Sequence, residues 1–333
     1  MSEILTAENL VAYYRKIDGN WVHAVDNISL SLREGEVLGI AGESGCGKTT
    51  LASVLALTAR PPLMVKAGTL SIDGRRLDIV GDVVQSAGIR GTLVSLLPQG
   101  AMNSLNPTQR VRDFVFDVLR SHIPEITREQ AIERAQSRID QLSLPSRILE
   151  AYPHQLSGGM KQRVVAVIST LLNPKVLIAD EPTSALDVSS QRALLALLSR
   201  LLSEGIIGSI IFVTHELAVL RHLANRIMIM YAGQLAEVGP TESVIFDSAH
   251  PYAKALMNAT VVLETTTRHQ RIPGFEGAPP DLTDPPPGCR FHPRCTVATE
   301  QCSTSLPPLV STAADHTAAC WWVAHNLSAA KKS

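Results

Sequence analysis

Val37–Leu51 reads VLGIAGESGCGKTTL, an apolar strand-like run followed by a glycine-rich turn and the opening of a helix. Inside it, GESGCGKT at Gly42–Thr49 fits the P-loop spacing G-x-x-x-x-G-K-[ST]. Gly42, Gly45 and Gly47 let the backbone wrap a phosphate chain without Cβ clashes. Successive N–H groups and the helix N-terminus then offer donors to anionic oxygens. Lys48 sets a point charge on the outer phosphates, and the Thr49 hydroxyl is a hard oxygen ligand for Mg2+.

At 333 residues the chain is long enough for a large core and two domains. Its 45% hydrophobic and 18% charged residues suit a folded protein. Basic and acidic residues nearly balance, 30 against 31, so no nucleic-acid partner is expected. Lys331-Lys332 reads as a solvated terminus. MSEILTAENL carries early acids and lacks the apolar core of a secretory signal. No apolar stretch reaches the ~18 residues of a membrane span. A soluble chain that docks on a membrane protein is expected.

Outward from the P-loop, Leu10–Tyr14 and Val25–Leu32 read as strands, with turn signals at Asp18-Gly19-Asn20 and Asp26-Asn27. Tyr14 is either a ring that stacks on a nucleobase or a strand aromatic packed on its neighbours. Gly68–Leu77 is a hairpin about Asp73-Gly74, and Thr92–Leu97 is an apolar run ending at Gln99, whose amide has reach for a metal ion and a water. From Gln109 to Leu149 the pattern is helical. Thr127-Arg128-Glu129-Gln130 fits a capping box, and Ile132, Ala135, Ile139 and Leu142 share one face, leaving Arg134 and Arg138 to solvent.

Ser157-Gly158-Gly159 opens the apolar helix Met160–Leu172, either as a plain serine cap or as a helix N-terminus offered to a phosphate. Val176–Ala179 is a buried parallel strand with Asp180-Glu181 at its carboxyl edge, where ligands bind in open α/β sheets. Asp180 is then a candidate Mg2+ holder and Glu181 a base that polarises an attacking water. Ile206–Thr214 is a second such strand and ends in His215, a candidate γ-phosphate sensor. A hairpin about Ala232-Gly233 and a short helix at His250–Ala259 follow. Beyond Val262, Thr265-Thr266-Thr267, Pro279-Pro280 and Pro285-Pro286-Pro287 mark an extended linker.

P-loop, Gln99, LSGGM, VLIADE, SALD and VTHE in this order resemble the ATP-binding subunit of an ABC transporter, over roughly residues 5–260. YPHQLSGGMKQRV, IADEPTSALDV, HPYAKALM and PPPGCRFHPRC look like the oligopeptide/dipeptide importer branch. The resemblance implies an α/β fold: a P-loop NTPase ABC cassette with a mixed-sheet core, an antiparallel β subdomain and a helical subdomain. It assigns residues 1–262 to the cassette, about 93–160 to the helical subdomain, and 263–333 to a small irregular C-terminal extension.

ATP and Mg2+ are the implied cofactors. Tyr14 matches the ring that stacks on adenine, with Tyr13 as the alternative register. Gly42, Glu43, Ser44, Gly45, Cys46, Gly47, Lys48, Thr49 and Thr50 match the phosphate cradle; Cys46 stands where serine is frequent. Thr49, Gln99 and Asp180 match Mg2+ contacts, Glu181 the general base and His215 the switch histidine. Ser157, Gly158 and Gly159 match the signature that meets ATP held by an opposite, related cassette in a head-to-tail pair. Two transmembrane permeases, an extracytoplasmic peptide-binding protein and a peripheral place on the cytoplasmic face of the inner membrane complete the expectation. Nickel or oligosaccharide import, or an ABC ATPase that moves no solute, are the rival readings.

Four of the five cysteines, Cys289, Cys295, Cys302 and Cys320, crowd the C-terminal stretch. Clustered cysteines in a protein without a secretory signal suggest a metal. Their spacing is not a C-x-x-C zinc pattern, and four thiolates suit iron–sulfur as well as zinc. The branch implies a [4Fe–4S] cluster in some members, with zinc and reduced thiols as alternatives. Such a cluster is expected far from the phosphate chemistry.

Overall fold

A computed structural model describes residues 2–81, 88–261 and 277–330. Thr265-Thr266-Thr267, Lys331-Lys332 and the 262/263 boundary lie outside them. The chain opens with three strands, β1 (Glu3–Arg15), β2 (Trp21–Arg33) and β3 (Val37–Ala41), and the helix α1 (Lys48–Leu55). Next come the hairpin strands β4 (Leu63–Ile72) and β5 (Arg75–Leu77), which form an antiparallel sheet of order β2-β1-β4-β5. The turn expected at Asp26-Asn27 is instead a bulge inside β2. Asn27 has φ 56 and faces a matching irregularity at Asn9, φ 50, so both strands run on without reversing.

β6 (Val94–Leu97) precedes the helices α2 (Val111–His122), α3 (Arg128–Gln141) and α4 (Gly158–Ser169). β7 (Val176–Asp180), α5 (Val188–Ser203), β8 (Ser209–Val213), α6 (Leu217–Leu223), β9 (Arg226–Tyr231) and β10 (Gln234–Pro240) then alternate, before α7 (Thr241–Phe246) and α8 (Pro251–Val261). β6, β7, β8, β3 and β9 lie parallel. Their side chains divide the core by the two-residue period of a strand. In β8, Ile211 and Val213 join α1 and the antiparallel sheet on one face, while Ile210 and Phe212 join the helices on the other. Because β6 pairs with β7, the chain near residue 93 still belongs to this sheet.

The capping box at the start of α3 forms as read, Thr127 Oγ1 accepting from Gln130 N at 3.2 Å. Arg138, expected in solvent, is buried instead. Its guanidinium donates to Thr170 O at 2.7 Å and Asn173 Oδ1 at 2.6 Å, at the C-terminal end of α4. The last carbonyls of a helix lack intrahelical donors, and an arginine from the helix packed against them supplies one.

The C-terminal stretch is more regular than its composition suggested. It forms α9 (Glu300–Thr304), β11 (Leu309–Ala313), β12 (His316–Ala319) and α10 (Trp321–Ala330). β12 pairs antiparallel with β10, so the main sheet reads β11-β12-β10-β9-β3-β8-β7-β6. Glu237 of β10 is fully buried and accepts from His316 Nε2 at 2.6 Å, Ala249 N at 2.9 Å and His250 N at 2.7 Å. No helix among the described residues is long and apolar enough to cross a membrane.

Burial holds the His250 imidazole down at about 4, because the cation would lose its water. In the unfolded chain it takes a proton near pH ~6.5. This side chain therefore stabilises the fold fully above pH ~6.5, and that share is lost as pH falls toward about 4. Against a His250→Asn variant, chemical denaturation across this window is expected to show the parent losing on the order of 2–3 kcal/mol. Parallel pH profiles for the two proteins would contradict it.

Candidate functional site

The P-loop passes through a gap only glycine fits at two points. Gly47 has φ +102, and a Cβ there would lie 1.9 Å from Ala24 O in β2. At Gly42, φ +153, a Cβ would lie 2.2 Å from Met230 O in β9. The loop folds back on its own lysine: Lys48 Nζ donates to Gly42 O at 2.8 Å and Glu43 O at 2.9 Å. Cys46 is buried with its Sγ 3.7 Å from the same nitrogen, and burial pushes its thiol up.

Acids from the neighbouring strand ends meet this loop. Asp180 ends β7, and its Oδ1 accepts from Thr49 Oγ1 at 3.2 Å. Burial pushes the Asp180 carboxyl up to about 6, with the Thr49 hydrogen bond opposing. A buried carboxylate beside a hydroxyl is a hard-oxygen pair of the kind Mg2+ takes. Glu181, one residue on, is held at φ 44, an uncommon conformation for a non-glycine residue. Its carboxylate accepts from Gln99 Nε2 at 3.1 Å and lies 3.1 Å from His215 Nδ1. Thus Gln99, Glu181 and His215, carried on three separate strand ends, converge on one cluster.

A cavity of about 530 Å³ joins these groups, within the ~300–1,000 Å³ of small-molecule sites. P-loop residues Ser44, Gly45 and Gly47–Thr50 form one end, with Gln99, Glu181 and His215 beside them. Tyr14 and Val22 form the other, and Thr50 Oγ1 lies 3.3 Å from Tyr14 Oη. Tyr13 turns elsewhere, hydrogen-bonding Asp26 at 2.6 Å and stacking on His23. Ser157, Gly158 and Gly159 are not brought to this cavity. Ser157 and Gly158 are exposed, Ser157 caps α4 through Met160 N at 3.3 Å, and Gly159 packs so closely on Ser190 that a Cβ would lie 2.4 Å from its Oγ.

Two contributors escaped the sequence reading. Leu282, from the C-terminal stretch, lines the same cavity. Arg294 is bidentate on the P-loop acid Glu43, at 2.8 and 3.0 Å. Glu43 N also donates to Tyr252 Oη at 2.8 Å, so Glu43 serves largely as an attachment for later parts of the chain. The expectation that the cysteine-bearing stretch stands far from the phosphate loop is therefore corrected: Arg294 immediately precedes Cys295.

The four cysteines gather in that stretch, Cys289 N donating to Cys302 O at 2.8 Å. Burial pushes Cys289 up to about 11 and raises Cys295 and Cys320, with the neighbouring cysteines adding to the rise. Among the described residues no group of three or more His, Cys, Asp or Glu side chains is arranged to hold a metal ion. The [4Fe–4S] expectation, and zinc with it, finds no support in this arrangement.

Parallel strands with a P-loop at β3 and acids at the end of β7 are the architecture of a P-loop NTPase. The family description ABC transporter matches residues 25–184, and Oligopeptide/dipeptide transporter, C-terminal region, matches residues 236–302. A dipeptide transport ATP-binding protein of Caldanaerobacter subterraneus subsp. tengcongensis is 37% identical over 308 residues, 92% of this chain and 93% of that protein. An oligopeptide transport ATP-binding protein of Bacillus subtilis is 35% identical over 324 residues, 96% of this chain and 89% of that protein. A dimeric ATP-binding cassette solved with ADP and Pi superposes with TM-score 0.61 at 26% identity, covering 71% of this chain and 98% of that one. The chain belongs to the oligopeptide/dipeptide transporter family of ABC ATP-binding proteins.

Proposed function

We propose that this chain is the ATP-driven half-motor of an importer of dipeptides or oligopeptides. The observation that carries this reading is the convergence of Lys48, Thr49, Gln99, Glu181 and His215 on one cavity, with Asp180 behind Thr49, from which Ser157–Gly159 stand apart. A P-loop cavity without its own signature is half of a site, and a second cassette facing it head to tail supplies the other half. Residues 1–262 act as the cassette, with the helices that follow β6 within about 93–160 relaying motion, and 263–333 as the appended extension.

ATP lies with its phosphates on Gly42–Thr50 and its base against Tyr14. Thr49, Asp180 and Gln99 would hold Mg2+, which offsets phosphate charge when bound. Glu181 orients and polarises the attacking water, and His215 positions Glu181 against the outer phosphate. ATP favours the closed pair because both halves hold it, and loss of the shared phosphate lets the pair open. Swinging such an equilibrium from mostly open to mostly closed takes about 5.5 kcal/mol of differential binding, within reach of two shared nucleotides. The pair sits peripherally on the cytoplasmic face of the inner membrane beneath two permeases, which receive cargo from an extracytoplasmic peptide-binding protein. Relatives named for dipeptide and oligopeptide transport support that cargo class.

In proteoliposomes carrying both cassettes and both permeases, ATP hydrolysis is expected to rise when the binding protein is loaded with a di- or oligopeptide. Stimulation by nickel or oligosaccharide and not by peptide would reassign the cargo.

A further inference from the structure

The segment from Asp281 to Cys295 brings Leu282 to the nucleotide cavity and is fastened to the cassette near both of its ends. Near the Tyr14 end, His23 N of β2 donates to Leu282 O at 2.8 Å, which lays the segment along the strand that supplies Val22 and Ala24 to the cavity wall. Asp281 Oδ1 accepts from Thr283 N at 2.8 Å, and Pro285-Pro286-Pro287 stiffen the chain that follows. At the phosphate end, the Arg294 guanidinium grips both carboxylate oxygens of Glu43, with its side chain only 6% exposed. Between these points Arg290 is ion-paired with Asp26 of β2 and donates to Ala232 O. A bidentate, desolvated guanidinium–carboxylate pair fixes orientation as well as position. The half-buried Leu282 is thereby held in the lining of a cavity that Tyr14 and Val22 also line.

We propose that the C-terminal extension is a working part of the nucleotide site, with Leu282 forming a wall against the base and ribose of bound ATP and the Arg294–Glu43 pair holding that wall in place. Leu282 is then a binding residue and Arg294 a positioning residue. The inference rests on the reading of this cavity as an ATP site, and it adds what the cassette alone does not contain: one side of the base pocket comes from beyond residue 262. A flat base takes binding energy from apolar contact, so a leucine lining the same cavity as a tyrosine ring suits a purine and does nothing for a phosphate chain.

Isothermal titration calorimetry of the full chain with Mg-ATP and, separately, with Mg-tripolyphosphate separates the two ends of the site. For Leu282→Ala, removal of a partly covered side chain is expected to weaken Mg-ATP about 3–10-fold and leave Mg-tripolyphosphate unchanged. Leu282→Met, which keeps an apolar wall of similar volume, is expected to bind Mg-ATP within about twofold of the parent. Equal loss for both ligands in Leu282→Ala would make the segment a brace for the P-loop and overturn the proposal, as would no loss for either. A parent protein that binds tripolyphosphate but not ATP would overturn the reading of the cavity itself, a result distinct from either of these.

Discussion

Glu181→Gln is expected to slow ATP hydrolysis by roughly 10²–10⁴, the usual weight of a general base, while ATP binding is retained. Glutamine has the shape of glutamate and still reaches Gln99 and His215, both 3.1 Å from the present carboxylate. What it lacks is the anionic oxygen that draws a proton from water. The backbone at φ 44 is set by the turn after β7 rather than by the carboxyl group, so the exchange leaves the loop where it is. Single-turnover hydrolysis together with equilibrium ATP binding gives the measurement. The variant is further expected to accumulate as an ATP-held pair in size-exclusion chromatography. Hydrolysis at the parental rate would remove Glu181 from the chemistry.

The second large effect is expected at a residue that touches nothing in its own cavity. Ser157→Arg places a long cation on the exposed N-terminus of α4. The single chain is expected to bind ATP as the parent does, because Lys48, Thr49 and Tyr14 are untouched. ATP-driven pairing is expected to vanish and steady-state hydrolysis to fall by about 10² or more, the scale seen when one aligned donor to a reacting oxygen is removed. The substitution also deletes the cap on Met160 N, worth about 0.5–2 kcal/mol, which a melting curve reports separately. Pairing and hydrolysis that survive the change would dissolve the shared-site picture.

What could be read from the chain was what lies within a dozen residues. The P-loop, the apolar strand closed by Asp180-Glu181 and the capping box at Thr127 each carry their own spacing, and each folds as spaced. Misreadings arose where a partner was remote. Asn27 has the residue type of a turn but occupies a bulge, because β1 runs on beside it. Arg138 sits on the polar side of its helix by pattern, yet the end of α4, some thirty residues on, supplies its acceptors. β11 and β12 are short and mixed in polarity, and only β10 gives them a sheet to join. Arg294 and Glu43 are 251 positions apart, and no periodicity links them. The acid–amide–imidazole cluster was legible as separate candidates, whereas its assembly depends on the strand order.

β12 has a bearing on how the protein stays a discrete particle. A row of unpaired backbone donors and acceptors along a sheet's border is a template for any passing strand, and fibrous aggregates grow from such borders. Shortened to end before His316, the molecule would present β10 as that border and leave the fully buried Glu237 without its imidazole. The tail therefore acts as a selvedge for β10: it moves the open border outward to the five-residue β11 and keeps Glu237 covered.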